Sequence, residues 1–281
     1  MTEPEADFRA ALAQLLIDAT KLRQQVHRQM GSASAAQHDV DVVTAELETA
    51  DPVERVISLV DLWSSIVAEQ LHDVGVLIAG GRSVFGIFPN LRSAIEHGAW
   101  ITYLLDNQTG SEQRAIRAAL AELESEQKLV GAIAHMNSKD DPNYKAAKAN
   151  LDRVRDAIAE QFPGFDGGTR TINGQKVATP TEVMAFFGER FGDRRQWVGV
   201  YEYLCGMANH PSKNAFLLFD VRADGKTELT LSAGFLSRLV RAGLAAYLTA
   251  LRCMRGYLEW AVEPIDEYQQ RVLVLLGPDE P

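Results

Sequence analysis

"LRSAIEHGAWITYLL" (residues 91–105) decides how the chain is read. Apolar residues lie on nearly every side of a helical wheel drawn through it: Leu91, Ala94, Ile95, Ala99, Trp100, Ile101, Leu104 and Leu105. A helix that is apolar almost all round belongs inside a bundle. Yet this one carries Arg92, Glu96 and His97 within six residues. A turn of about 100° per residue puts Glu96 about 40° and Tyr103 about 20° from Arg92, so the three share one narrow polar stripe. In such a helix the arginine and the carboxylate are expected to be largely desolvated, where removing one partner costs about 3–5 kcal/mol. Two readings follow. Arg92 and Glu96 form an internal ion pair that organises packing, with Tyr103 adding a hydroxyl, or the stripe is one wall of a pocket whose guanidinium forks onto an anionic ligand.

The same period of about 3.6 recurs along most of the chain. It predicts helices over residues 4–30, 36–49, 52–79, 89–106, 111–136, 142–162, 180–191, 194–210, 233–261 and 264–276. Boundary residues agree: Ser111 suits a cap, Pro180 and Pro264 suit first turns, and Gly80–Gly81 suits a stop. Two stretches break the period. "TINGQKV" (171–177) and "FLLFDVRADGKTELTLS" (216–232) place Asn-Gly and Asp-Gly between β-forming runs, which predicts two hairpins packed on helices. The expected fold is therefore mainly α, a multi-helix bundle with one or two short β-hairpin insertions. Residues 1–50 are expected as an N-terminal helical extension and 51–281 as the bundle, the whole forming one compact unit, with a soft joint near 31–51 where "GSASAAQHDV" is small and polar.

Composition narrows the function classes. The 281 residues include 46% apolar and 23% charged ones, an ordinary globular balance. A formal charge of −10, from 28 basic and 38 acidic side chains, argues against a general binder of phosphate backbones. The acidic, amphipathic opening is unlike a secretory or transit leader, and no uncharged apolar run reaches about 18 residues. A cytoplasmic protein with no membrane span is expected. Cys205 and Cys253 are too few and too far apart for a thiolate metal cage or a disulfide framework and read as small buried residues.

A second stretch, "WVGVYEYLCGMANHPSKNAF" (197–216), is a candidate to face the first. Val200, Tyr203, Met207 and His210 fall on one stripe, and Gly199 and Gly206 would let another helix approach closely. Pro211 should end the helix at His210, whose charge a helix C-terminus favours. Ser212 and Asn214 are further capping or ligand candidates.

Together these two helices resemble a widespread, uncharacterised bacterial helical family that has an Arg-x-x-x-Glu helix and a later Tyr-to-His-Pro-Ser helix end. The matching positions are Arg92, Glu96, Tyr103, Tyr201, His210 and Ser212, and the likeness spans roughly residues 55–260. It implies a helical bundle and brings no activity. More distantly, "RSAIEH" resembles the Arg-x4-His signature of HEPN domains, helical nucleases of toxin and defence systems. That likeness implies Arg92 on a phosphate and His97 moving protons, across a homodimer. His97 departs from it, lying about 140° from Arg92 on the wheel.

Other constellations are thinner. Glu69 and His72 have one of the two Glu-x-x-His pairs that a di-iron bundle needs, and read as a solvated face. Arg238, Arg241, Arg252 and Arg255 share one side of a late helix, an RNA-contacting stripe or a solvated face with stems on the core. Nucleotide-binding and hydrolase motifs are absent, so no cofactor and no metal is expected. The functional expectation is a ligand- or partner-binding module. Its site comprises Arg92, Glu96, Tyr103, Tyr203, His210 and Ser212, and it holds a small anionic ligand or a protein partner. A HEPN-like ribonuclease using Arg92 with His97 or His210 is the alternative.

Overall fold

A computed structural model describes residues 3–26, 30–47, 51–81, 84–136, 138–209, 219–221, 227–229 and 231–277. Among them are eleven helices: α1 (Glu3–Ile17), α2 (Ala19–Val26), α3 (Ala35–Leu47), α4 (Asp51–Ala79), α5 (Val84–Leu104), α6 (Ser111–Met136), α7 (Pro142–Gln161), α8 (Pro180–Phe191), α9 (Arg194–Asn209), α10 (Ala233–Leu258) and α11 (Glu263–Leu276). Two antiparallel ribbons join them: β1 (Phe165–Asp166) with β2 (Thr171–Ile172), and β3 (Phe219–Val221) with β4 (Thr227–Leu229). The fold is mainly α, as the periodicity implies. No helix among the described residues is long and apolar enough to cross a membrane.

Three departures from the expected elements have local causes. The expected first helix is two, broken at Asp18. There the buried hydroxyls of Tyr268 and Tyr247 donate to the carbonyls of Leu15 and Ala19, at 2.8 and 2.9 Å. A side chain inserted into the carbonyl ladder is a known cause of a bend. Helix α5 starts before Pro89 rather than at it. The proline forgoes one amide bond, and burial of Ile87, Phe88 and Leu91 holds the added turn in place. Ser111 is not a cap: its hydroxyl donates to Asp39 at 2.7 Å, and the Gly110 carbonyl accepts from the Arg114 amide at 3.0 Å.

Both hairpins form. Asn173 and Gly174 have φ of 51° and 78°, the left-handed pair that a tight two-residue turn needs. Ile172 and Gln175 exchange backbone hydrogen bonds of 3.1 and 2.9 Å across it. In the second ribbon Phe219 pairs with Leu229 and Val221 with Thr227. The Asp-Gly turn between them lies outside the described residues.

The chain forms two compact units. The first draws on the described residues of Met1–Ser34, Asp61–Tyr103 and Pro180–Pro281, the second on Ala35–Val60 and Leu104–Thr179. This partition cuts across the division expected after residue 50, because α1 and α2 belong with α10 and α11 while α3 belongs with α6. The core of the first unit contains Leu12, Leu16, Leu71, Leu91, Ile95, Leu244 and Leu251, all fully buried. Its helices approach closely: a Cβ at Gly75 of α4 would sit 2.7 Å from the Ala13 carbonyl oxygen of α1. In the second unit Ile116, Leu120 and Leu123 of α6 pack with Leu151, Val154 and Ile158 of α7, and Phe162 and Ile172 close the cluster.

Candidate functional site

Helix α5 presents Arg92, Glu96, Trp100 and Tyr103 along one side. The Arg92 Nε lies 3.8 Å from Glu96 Oε2, and the two side chains are 29% and 23% exposed. This corrects the expectation of a desolvated pair. The arginine also precedes the glutamate, the less favourable order on a helix, so the contact contributes about 0.3–0.5 kcal/mol.

What the stripe gains comes from α9. The Tyr201 hydroxyl donates to Glu96 Oε2 at 2.9 Å, and the Arg92 guanidinium lies 5.7 Å from the centre of the Tyr201 ring. A hydrogen bond to a carboxylate is stronger than a neutral one, so it ties α9 to α5. Burial and the neighbouring Glu96 charge push the Tyr201 phenol up, well beyond the usual tyrosine range, and it stays protonated as the donor. Burial by itself would lower the Arg92 pKa, but Tyr201, Cys205 and Glu96 together raise it. The guanidinium is a fixed positive charge.

Beside this polar end runs a ribbon of half-buried aromatic rings. Trp63 of α4 and Trp100 stand 5.8 Å apart, Trp100 and Tyr103 5.8 Å, and Tyr103 and Phe186 of α8 5.3 Å, the last two pairs edge to face. Edge contacts of this kind hold the rings in a fixed orientation. The arrangement offers a fixed cation, a carboxylate and a phenol at one end and flat apolar faces at the other.

The structure therefore gathers Arg92, Glu96 and Tyr201. Tyr103 lies on the same helix but among rings. Tyr203, expected at the site, points elsewhere: its ring meets Phe88 at 6.3 Å and Phe235 at 5.8 Å. The close helix approach expected at Gly199 and Gly206 is absent, since no described atom lies within 4 Å of where a Cβ would stand at either. His97 turns back on its own helix, with Nδ1 2.8 Å from the Ser93 carbonyl oxygen. His210, Ser212 and Asn214 lie outside the described residues. Both cysteines are half-buried rather than sealed.

The dry fork pictured at Arg92 exists in the second unit instead. Asp39, 1% exposed, accepts from Arg114 Nε at 2.8 Å, from its terminal nitrogen at 2.7 Å and from Ser111, while Arg114 also donates to the Thr109 carbonyl. No pattern within α6 announces it, because the partner comes from α3. Of the late arginines, Arg238, Arg252 and Arg255 are exposed; Arg252 donates to Gln269, and the half-buried Arg241 donates to the Leu276 carbonyl, both acceptors on α11. His72 sits 3.7 Å from Asp73 on the solvated face of α4.

Compared with models of known protein families, with curated proteins and with solved structures, the chain shows no significant match to any.

Proposed function

We propose that the first unit is a binding module whose site is Arg92, Glu96 and Tyr201 with the adjoining rings of Trp100 and Tyr103. Its ligand is a small molecule that joins an acidic group to a flat apolar part. The observation that supports this is the state of the ion pair. A pair that serves packing alone can be closed and fully bonded, as Asp39–Arg114 is; Arg92–Glu96 is stretched to 3.8 Å and a quarter exposed beside ordered aromatic faces. An incoming carboxylate or phosphate can fork onto the part-exposed guanidinium while its apolar part lies on those faces.

Benzoate, inorganic phosphate and benzyl alcohol are suitable probes, titrated into the full chain and followed by amide chemical shifts. Benzoate should bind saturably, with Arg92→Ala abolishing the response and Trp100→Ala weakening it roughly tenfold, the worth of a lost stacking contact. Failure of benzoate to bind, or equal binding to wild type and Arg92→Ala, ends the proposal.

The HEPN-like ribonuclease reading has one feature in its favour. With Nδ1 donating to the Ser93 carbonyl, His97 keeps Nε2 as a free acceptor, the form a general base needs. Loss of RNA cleavage in His97→Ala at unchanged stability would support it, and an intact chain that leaves RNA uncut would end it.

A further inference from the structure

The second unit contains a cleft of about 170 Å³ that the site above does not involve. Its floor is apolar: Val43, Ala115 and Phe162 are 2%, 1% and 6% exposed. Its ionisable side chains are Glu46 of α3 and Glu112 in the first turn of α6, and no lysine, arginine or histidine lines it. Among the described residues neither carboxylate makes an ion pair or a hydrogen bond. The cation behind the wall is already matched. Arg55 donates to Glu122 at 2.6 Å and to the side-chain carbonyl of Gln161 at 2.7 Å.

The opening also depends on a missing side chain. A Cβ at Gly164 would stand 1.8 Å from Asn173 Oδ1, so any other residue there would push the asparagine aside and narrow the space. Asn173 adds a third acceptor to the wall, held in place by its own amide donating to the Gly164 carbonyl at 3.0 Å. Two carboxylates and the Asn173 carbonyl thus stand beside an apolar floor, with the side-chain amides of Gln161 and Asn173 as its side-chain donors.

We propose that this cleft binds a small organic cation, a short alkylammonium or guanidinium whose stem lies on Phe162 and Ala115 while Glu46 and Glu112 take its charge. At about 30 Å³ per water-sized group the space takes roughly five or six non-hydrogen atoms. An inorganic cation is a worse fit. Among the described residues no three acidic, histidine or cysteine side chains gather to hold one, and an apolar floor gives it no ligand. The organic cation uses both halves of the cleft.

The test titrates the full chain with n-butylammonium, guanidinium, butyrate and sodium chloride at matched ionic strength, with amide shifts as the readout. n-Butylammonium is expected to bind saturably, moving the amides of Ala115 and Gly164, while butyrate and sodium chloride leave them in place. Glu46→Gln and Glu112→Gln, both at exposed positions, should each weaken binding about fivefold, the ratio a partly exposed ion pair supplies. Gly164→Ala should weaken it by narrowing the cleft. Equal responses to n-butylammonium and butyrate, no response at all, or binding that survives the double glutamine variant would each overturn the proposal. None of these outcomes bears on benzoate at Arg92, so the two sites stand or fall separately.

Discussion

Replacing Asp39 by alanine removes the counter-ion that accepts two N–H groups of a nearly buried guanidinium, whereas replacing Glu96 removes a stretched contact a quarter open to water. The first loss should destabilise the second unit by about 3–5 kcal/mol, the range for stranding one member of a buried pair. Single substitutions at the other pair mislead. Glu96→Ala also strands the Tyr201 hydroxyl, a further penalty of about 1–3 kcal/mol on a side chain that is 5% exposed. A double-mutant cycle cancels that term and leaves the pairwise coupling. The expected couplings are about 3 kcal/mol for Asp39–Arg114 and below about 0.5 kcal/mol for Arg92–Glu96. In 1 M salt, where the screening length shrinks to about 3 Å, the second should vanish and the first persist. Two compact units need not unfold in one step. Native-state amide exchange therefore suits the measurement, read in α6 for the first cycle and in α5 for the second. An Arg92–Glu96 coupling as large as that of Asp39–Arg114, and undiminished by salt, would refute the argument that the pair is loose enough to admit a ligand.

Two further outcomes rest on other parts of the first unit. Gly75→Ala should lower the melting temperature although alanine is the better helix former by about 1 kcal/mol, because the new methyl meets the Ala13 carbonyl and overpacking costs about 1–3 kcal/mol. A rise would mean that α1 can back away. At Asp18, burial would by itself raise the carboxyl, but hydrogen bonds from Lys21, Arg271 and Gln14 outweigh it and hold the group below its usual 3.8. A depressed folded-state pKa gives stability that is fully present above the unfolded value and is lost as pH falls through the folded one. Asp18→Asn should therefore be less stable than wild type near neutrality, with the gap closing below about pH 4. Denaturant midpoints across that range check it, and a constant gap would contradict the linkage.

Helix content, most boundaries, the Asn-Gly turn and the β3–β4 ribbon were legible in the residues because their causes are local, whereas the pairing of Phe165–Asp166 with Thr171–Ile172 was not. The 3.6-residue period, Pro180 and Pro264 at first turns, and Asn173–Gly174 in a tight turn each depend on a few neighbours along the chain. The break at Asp18 was not legible, since it requires Tyr247 and Tyr268 to arrive from more than 200 residues away. At the candidate site, the stripe of Arg92, Glu96 and Tyr103 followed from helical spacing. Tyr201 entered through a family likeness, while the residue chosen from its helix by spacing was Tyr203, on another face. Periodicity says which residues share a side; it does not say which side meets which helix.

By itself the sequence determined that this chain is a set of amphipathic helices with a charged stripe on its most apolar one. Only the tertiary structure decided which charged pair is sealed and which is half open. Burial is a property of what packs around a residue, and the atoms that close over Arg114 and leave Arg92 accessible belong to helices remote in the chain.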